Sequence, residues 1–135
     1  MRQFFLDTGF IIALEDKNDQ YHPQARKFWK NLDRTSQIVT SSFILDEVTT
    51  AFNRRNLHSK AVEIGEKLLY SSDISFYQVG ENLLFDAWDY FKKHDDKAYS
   101  LTDCVSFVLM KQLKIDRALA FDKHFEQAGF QCLPQ

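Results

Sequence analysis

Cysteine, proline and glycine are scarce, with two, two and four residues in a chain of 135. Cys104 and Cys132 are too few, and sit in settings too apolar, for a disulfide framework, and no CxxC or Cys/His spacing offers a zinc site. No glycine-rich phosphate loop, serine triad or Cys–His pair is present, so the chemistries built on them lack their parts. An excess of basic charge is missing too. Seventeen Lys and Arg face nineteen Asp and Glu for a formal net charge of −2, which excludes a bulk-basic nucleic-acid binder and leaves only local or metal-mediated contacts. No apolar run approaches about 18 residues and no charged segment leads into an apolar one at the start, so neither a membrane span nor a signal peptide is expected. A reducing cytoplasm is the expected setting. With no repeat, low-complexity segment or linker, residues 1–135 are expected to form one domain.

What the chain does have is apolar periodicity and a few well-placed acids. Hydrophobic residues make up 44% and thirteen are Phe, enough for an aromatic-rich core. Leu101, Cys104, Val105 and Val108 follow helical spacing, and Phe107, Leu109 and Met110 extend the apolar coverage nearly all round, which predicts a deeply buried helix. Short apolar runs at 3–6, 37–40, 74–79 and 118–121 read as strands, with 130–133 as a last edge strand. Helices are expected over 10–14, from Pro23 along Ala25, Phe28, Trp29 and Leu32, and over 43–54. Further helical stripes are Ala61, Ile64, Gly65, Leu68, then Leu84, Ala87, Trp88, Phe91, and a short turn over 125–128 closed by Gly129. Alternating strands and helices predict an α/β fold with a mostly parallel sheet. Strand order is not contained in the pattern.

Four acids fall at comparable places. Asp7 follows the first strand and Asp122 the fourth, Asp103 opens the buried helix, and Glu47 lies one helical turn past the second strand. All four are expected at the edge of the sheet where α/β folds bind ligands. Each also has an ordinary explanation. Asp7 is a candidate N-cap, Ser100 and Asp103 match a capping box, and Glu47 could pair with Arg54 or Arg55. Helical phase separates Glu47, flanked by Phe43 and Ala51 at the core's edge, from Asp46, which points to water with Thr49, Thr50 and Asn53. Arg26, Lys30 and Arg34 line up at i, i+4, i+8; with Arg54 and Arg55 they are candidate contacts for a phosphate backbone, although a charged helix face is usually just solvated.

Carboxylates within about 5 Å repel by roughly 3 kcal/mol per pair at an effective dielectric of about 20, so four cannot stay ionised together unaided. Oxygen donors without His or Cys select Mg²⁺ or Mn²⁺, ions that retain waters and take substrate phosphate. Metal-assisted phosphodiester hydrolysis is the reaction class that follows.

The stretches Phe5-Leu6-Asp7-Thr8-Gly9, Glu47, Leu101-Thr102-Asp103-Cys104 and Phe121-Asp122-Lys123-His124-Phe125 come in the order and separation found in a known family. The chain resembles the PIN-domain ribonucleases, and most closely the VapC-type toxins of bacterial toxin–antitoxin pairs. The resemblance implies a three-layer α/β/α sandwich and one or two Mg²⁺ or Mn²⁺ ions held by Asp7, Glu47, Asp103 and Asp122. It further implies Thr8 and Thr102 as supporting hydroxyls, RNA as substrate, a small antitoxin as partner, and a homodimer. Ala120 stands where family members often carry Thr or Ser, removing a hydroxyl near Asp122. Two other readings are a PIN-like domain that binds RNA or protein without cutting, and a Mg²⁺-binding phospho-acceptor of the receiver type. The latter is disfavoured because Asp7 has no adjacent acid.

Overall fold

Phe4 and Phe5 point to opposite faces of β1 (Gln3–Leu6), yet both are fully buried. A strand covered on both sides is what an unbroken apolar run predicts in a parallel sheet. The computed structural model describes residues 2–135. After β1 come α1 (Thr8–Glu15), α2 (His22–Lys30), β2 (Gln37–Ser41), α3 (Ser42–Arg54), α4 (His58–Tyr70) and β3 (Ile74–Tyr77). The chain continues with α5 (Glu81–Lys93), α6 (Leu101–Leu113), β4 (Arg117–Leu119), α7 (His124–Gln127) and β5 (Gln131–Leu133).

All strand pairs are parallel, in the order β3-β2-β1-β4-β5. Right-handed crossovers place α1 to α4 on one face of this sheet and α5 to α7 on the other, and the packing of α1 on α2 and α3, α3 on α4, and α6 on α5 and α7 agrees. The fold is a three-layer α/β/α sandwich. The chain leaves β1 toward β2 but leaves β4 toward β5, so the direction of winding reverses between β1 and β4. That reversal opens a crevice beyond their carboxyl ends, the place where such sheets bind ligands. The receiver-type alternative would need the order 2-1-3-4-5 and is ruled out.

Several sequence expectations shift. The first helix begins at Thr8 rather than Phe10, β3 stops at Tyr77, and β4 stops at Leu119, leaving Ala120 and Phe121 beyond the strand. The α5 stripe is rotated. Leu83, Ala87 and Tyr90 face the core, while Trp88 and Phe91, expected inside, are exposed and stack on each other. Tyr90 fixes this phase by packing edge-on against Phe107 of α6. The basic stripe on α2 also breaks. The helix ends at Lys30, and Asp33 accepts from both the amide and the hydroxyl of Thr35, forming a turn that carries Arg34 off the helical face. The buried helix α6 is as expected, with six of its residues buried from Cys104 to Met110.

Candidate active site

Asp7 occupies the N-cap position of α1, directly after β1, and its amide donates to Leu119 O of β4 at 3.1 Å. It thus stands at the winding reversal. Its side chain makes no cap hydrogen bond and is only 7% exposed. Burial above all, then the charge of Asp103 and more weakly that of Glu47, push its carboxyl up to about 7, against the opposing pull of the Thr8 and Gly9 amides.

Glu47 reaches the same place from α3. Its Oε1 accepts a 2.7 Å hydrogen bond from Thr8 Oγ1. The alternative pairing with Arg54 or Arg55 does not form, because Arg55 turns to Asp16 at 3.1 Å. Asp46, the neighbouring acid, is exposed.

Asp103 combines two roles that the sequence presents as alternatives. Its amide donates to Ser100 Oγ and its Oδ2 accepts the Ser100 amide, both at 3.0 Å, so the capping box is present. The same Oδ2 lies 3.0 Å from His124 Nδ1. The box therefore does not compete with the site; it fixes the carboxylate's orientation at the mouth of α6. Asp122 accepts the His124 amide through Oδ1 at 2.9 Å, and its Oδ2 lies 3.3 Å from His124 Nδ1. At 43% side-chain exposure it is the most open of the set.

Asp7, Glu47, Asp103, Asp122 and His124 line one cleft with a cavity volume of about 330 Å³. A larger concavity of about 900 Å³ between α1, α2 and α4 mixes Lys17, Arg26, Lys30 and Lys60 with Glu15 and Asp16. Its bases are interspersed with acids, Lys60 lying 2.8 Å from Glu15, whereas the smaller cleft gathers four acids, among them the strongly shifted Asp7, so chemistry rather than size selects it. Cys104 is no rival nucleophile: burial, with Asp103 adding to it, pushes its thiol up to about 11.

The sequence model of the PIN domain matches residues 4–131. The chain belongs to the PIN-domain family. A Mycobacterium tuberculosis relative, 23S rRNA-specific endonuclease VapC20, is 35% identical over 126 residues, covering 93% of this chain and 94% of that one. The crystal structure of M. tuberculosis VapC20, described as a sarcin–ricin loop cleaving toxin, matches with a TM-score of 0.87 at 33% identity, over 94% of this chain and 95% of that one. FitAcB from Neisseria gonorrhoeae shares the fold at 18% identity, with a TM-score of 0.66 over 97% and 96% of the two chains.

The other residues singled out in the sequence of this PIN domain are placed unevenly. Thr8 lines the cleft, but Thr102 does not, and only its backbone carbonyl is engaged, by Ser106 Oγ. None of Arg26, Lys30, Arg34, Arg54 and Arg55 lines it. His124 stands in the stretch from Phe121 to Phe125 that carries the resemblance, but it is given no role there. Its place two residues after Asp122 is the signal that could have found it, because the turn at Asp122 folds the ring back onto both carboxylates. No helix among the described residues is long and apolar enough to cross a membrane.

Proposed function

We propose that this PIN domain is a Mg²⁺- or Mn²⁺-dependent endoribonuclease and the toxin of a toxin–antitoxin pair. The single observation that carries the reading is the cleft where Asp7, Glu47, Asp103 and Asp122 meet at the winding reversal. The donor set fits a hard divalent cation. Asp7 is buried without a Lys or Arg partner among the described residues, and burial first, then the charges of Asp103 and Glu47, raise its pKa, so a cation there offsets a desolvation and repulsion that the protein itself leaves uncompensated. Asp7, Glu47, Asp103 and Asp122 would hold one or two ions. His124 can join them, since ligand atoms of Asp103, Asp122 and His124 lie within 4.8 Å of one another. A bound ion supplies Lewis-acid stabilisation of charge on phosphate oxygens and acidifies a water.

The protein's own residues do the positioning. Thr8 holds Glu47, Ser100 holds Asp103, and His124 spans Asp103 and Asp122. Ala120 provides no hydroxyl beside Asp122, and the His124 amide takes that orienting role. RNA as substrate, a small antitoxin, a homodimer and a cytoplasmic location belong to the same proposal. RNA is supported by the likeness to VapC20, and an interface by the exposed Phe85, Trp88 and Phe91 of α5. Arg26, Lys30, Arg34 and Arg54 form no ion pair among the described residues and are proposed only as outlying backbone contacts. Binding without cleavage has less support, because the acids converge rather than scatter. Purified protein incubated with bacterial ribosomal RNA, with the new ends mapped, tests the reading. Discrete ends that vanish with folded Asp7→Asn are expected; intact RNA after prolonged incubation with folded wild type overturns it.

A further inference from the structure

Three rings stack beside the cleft. Phe10 of α1 is fully buried, Phe121 lies on it at 5.8 Å between centroids and 11° between planes, and Tyr21 lies on Phe121 at 4.4 Å and 7°. The two inner rings belong to the segments that carry site acids, since Phe10 is on the first turn after Asp7 and Phe121 immediately precedes Asp122. Tyr21 is the outermost ring and is 37% exposed. Phe121 covers one face of the ring, and no other aromatic ring among the described residues packs against it.

The backbone that carries the ring is also held in place. The Tyr21 amide donates to Asp19 Oδ1 at 2.8 Å, the Tyr21 carbonyl accepts from Ala25 at 2.9 Å, and His22 Nδ1 pins the start of α2 to Ala13 O at 2.8 Å. Phe28 packs edge-on and Trp29 tilted against Phe10, bracing the inner end of the stack. A π-face presented in fixed register loses little entropy when another flat ring settles on it.

The cleft itself has an electrostatic shortage. The chain carries a net charge of −2, and no Lys or Arg among the described residues lines the cavity, so phosphate contacts alone give poor purchase on a nucleic acid. Stacking on aromatic side chains supplies affinity without positive charge, and it selects bases that are unpaired and free to splay out.

We propose that Tyr21 is the platform on which an unpaired nucleobase flanking the scissile phosphate stacks, adding one ring to the Phe10–Phe121–Tyr21 ladder; the inference rests on the RNA-cleaving reading above. Tyr21 is then a positioning residue. It holds the substrate equally before and during the reaction, so its loss raises KM and leaves kcat nearly untouched.

The test uses the bond mapped in ribosomal RNA. Short oligoribonucleotides spanning that bond carry 2-aminopurine at each flanking position in turn. Bound to the Asp7→Asn chain, one position is quenched, and the quench disappears when Tyr21→Leu is added. In the otherwise wild-type chain, Tyr21→Leu raises KM about tenfold or more with kcat within about twofold, while Tyr21→Phe and Tyr21→Trp keep the wild-type KM. Leu is chosen because it still covers Phe121, and an unchanged melting midpoint shows that it does. An unchanged KM in Tyr21→Leu beside an active wild type overturns the proposal, as does a probe quenched at neither position. Equal losses in kcat and melting midpoint that Tyr21→Phe does not rescue also overturn it, assigning the ring to the fold alone. Failure of the wild type to cut any RNA is a different result: it removes the ribonuclease reading, and this inference with it.

Discussion

Thr8 Oγ1 donates to Glu47 Oε1 at 2.7 Å, across 39 positions of sequence, and so ties the first turn of α1 to α3 above the sheet edge. Thr8→Val keeps the side chain's shape and removes the donor. Glu47 then loses its only orienting partner within the described residues, and cleavage is expected to fall about 10- to 100-fold. Thr8→Ser, which keeps the hydroxyl, is expected to stay within a few-fold of wild type. Initial rates at fixed Mn²⁺ separate the two.

Asp46 and Glu47 are adjacent in sequence but have opposite fates on α3, one exposed and one lining the cleft. Asp46→Ala is expected to be nearly silent, whereas Glu47→Gln removes a ligand charge and abolishes metal-dependent cleavage. Equal damage from both, in folded proteins, would mean that helical phase does not separate the two acids as exposed and cleft-lining residues.

The raised pKa of Asp7 makes a signed prediction for the metal-free protein. Burial and the neighbouring acids push its carboxyl up to about 7 when folded, against an ordinary value of 3.8. The folded state therefore keeps a proton that the unfolded chain releases between those values. This contribution to stability is fully present below about pH 3.8 and is lost as pH rises through about 7. In EDTA, the wild-type melting midpoint is expected to gain on that of Asp7→Asn as pH falls from 7.5 to 5, and Asp7→Asn is expected to melt above wild type at pH 7.5. Mn²⁺ should then raise the wild-type midpoint more than the mutant's. Parallel pH profiles for the two proteins would show that Asp7 does not carry the repulsion.

Ser100→Ala removes one half of the capping box. A stability loss of about 1 kcal/mol is expected, read as a lower melting midpoint. Activity should fall no further than that stability loss explains, because the Ser100 amide that holds the Asp103 carboxylate is kept in Ala. Ser100→Thr preserves the cap and is expected to restore both.

Much of this architecture was legible from apolar spacing alone. Ala61, Ile64, Gly65 and Leu68 are the buried residues of α4, and the continuous run at Phe4-Phe5-Leu6 is the doubly covered β1. The phase of α5 was not legible, because Leu83, Leu84, Phe85, Trp88, Tyr90 and Phe91 put apolar residues around most of the helix and only contact with Phe107 chooses a side. The basic stripe failed for a different reason: a local turn at Asp33 ended the helical register before Arg34. Of the site, the four acids were legible from their places after strands and at helix starts. How unequally they share burial was not. Asp7 is nearly enclosed while Asp122 is 43% exposed and bound to the His124 amide, a difference set by strand order, which no periodicity encodes. His124 reaches the cluster through a turn, and its place two residues after Asp122 is the one trace of it in the sequence.

The metal requirement for cutting is the most direct test. Labelled ribosomal RNA is incubated with purified protein in excess EDTA, and then again after Mg²⁺ or Mn²⁺ is restored to millimolar excess, with initial rates measured for wild type and Asp7→Asn. The expected result is no detectable cleavage in chelator, full recovery in wild type on adding metal, and a rate lower by several powers of ten in Asp7→Asn. Undiminished cleavage in EDTA, or a wild-type rate in Asp7→Asn, would contradict a carboxylate-held metal as the source of the activity.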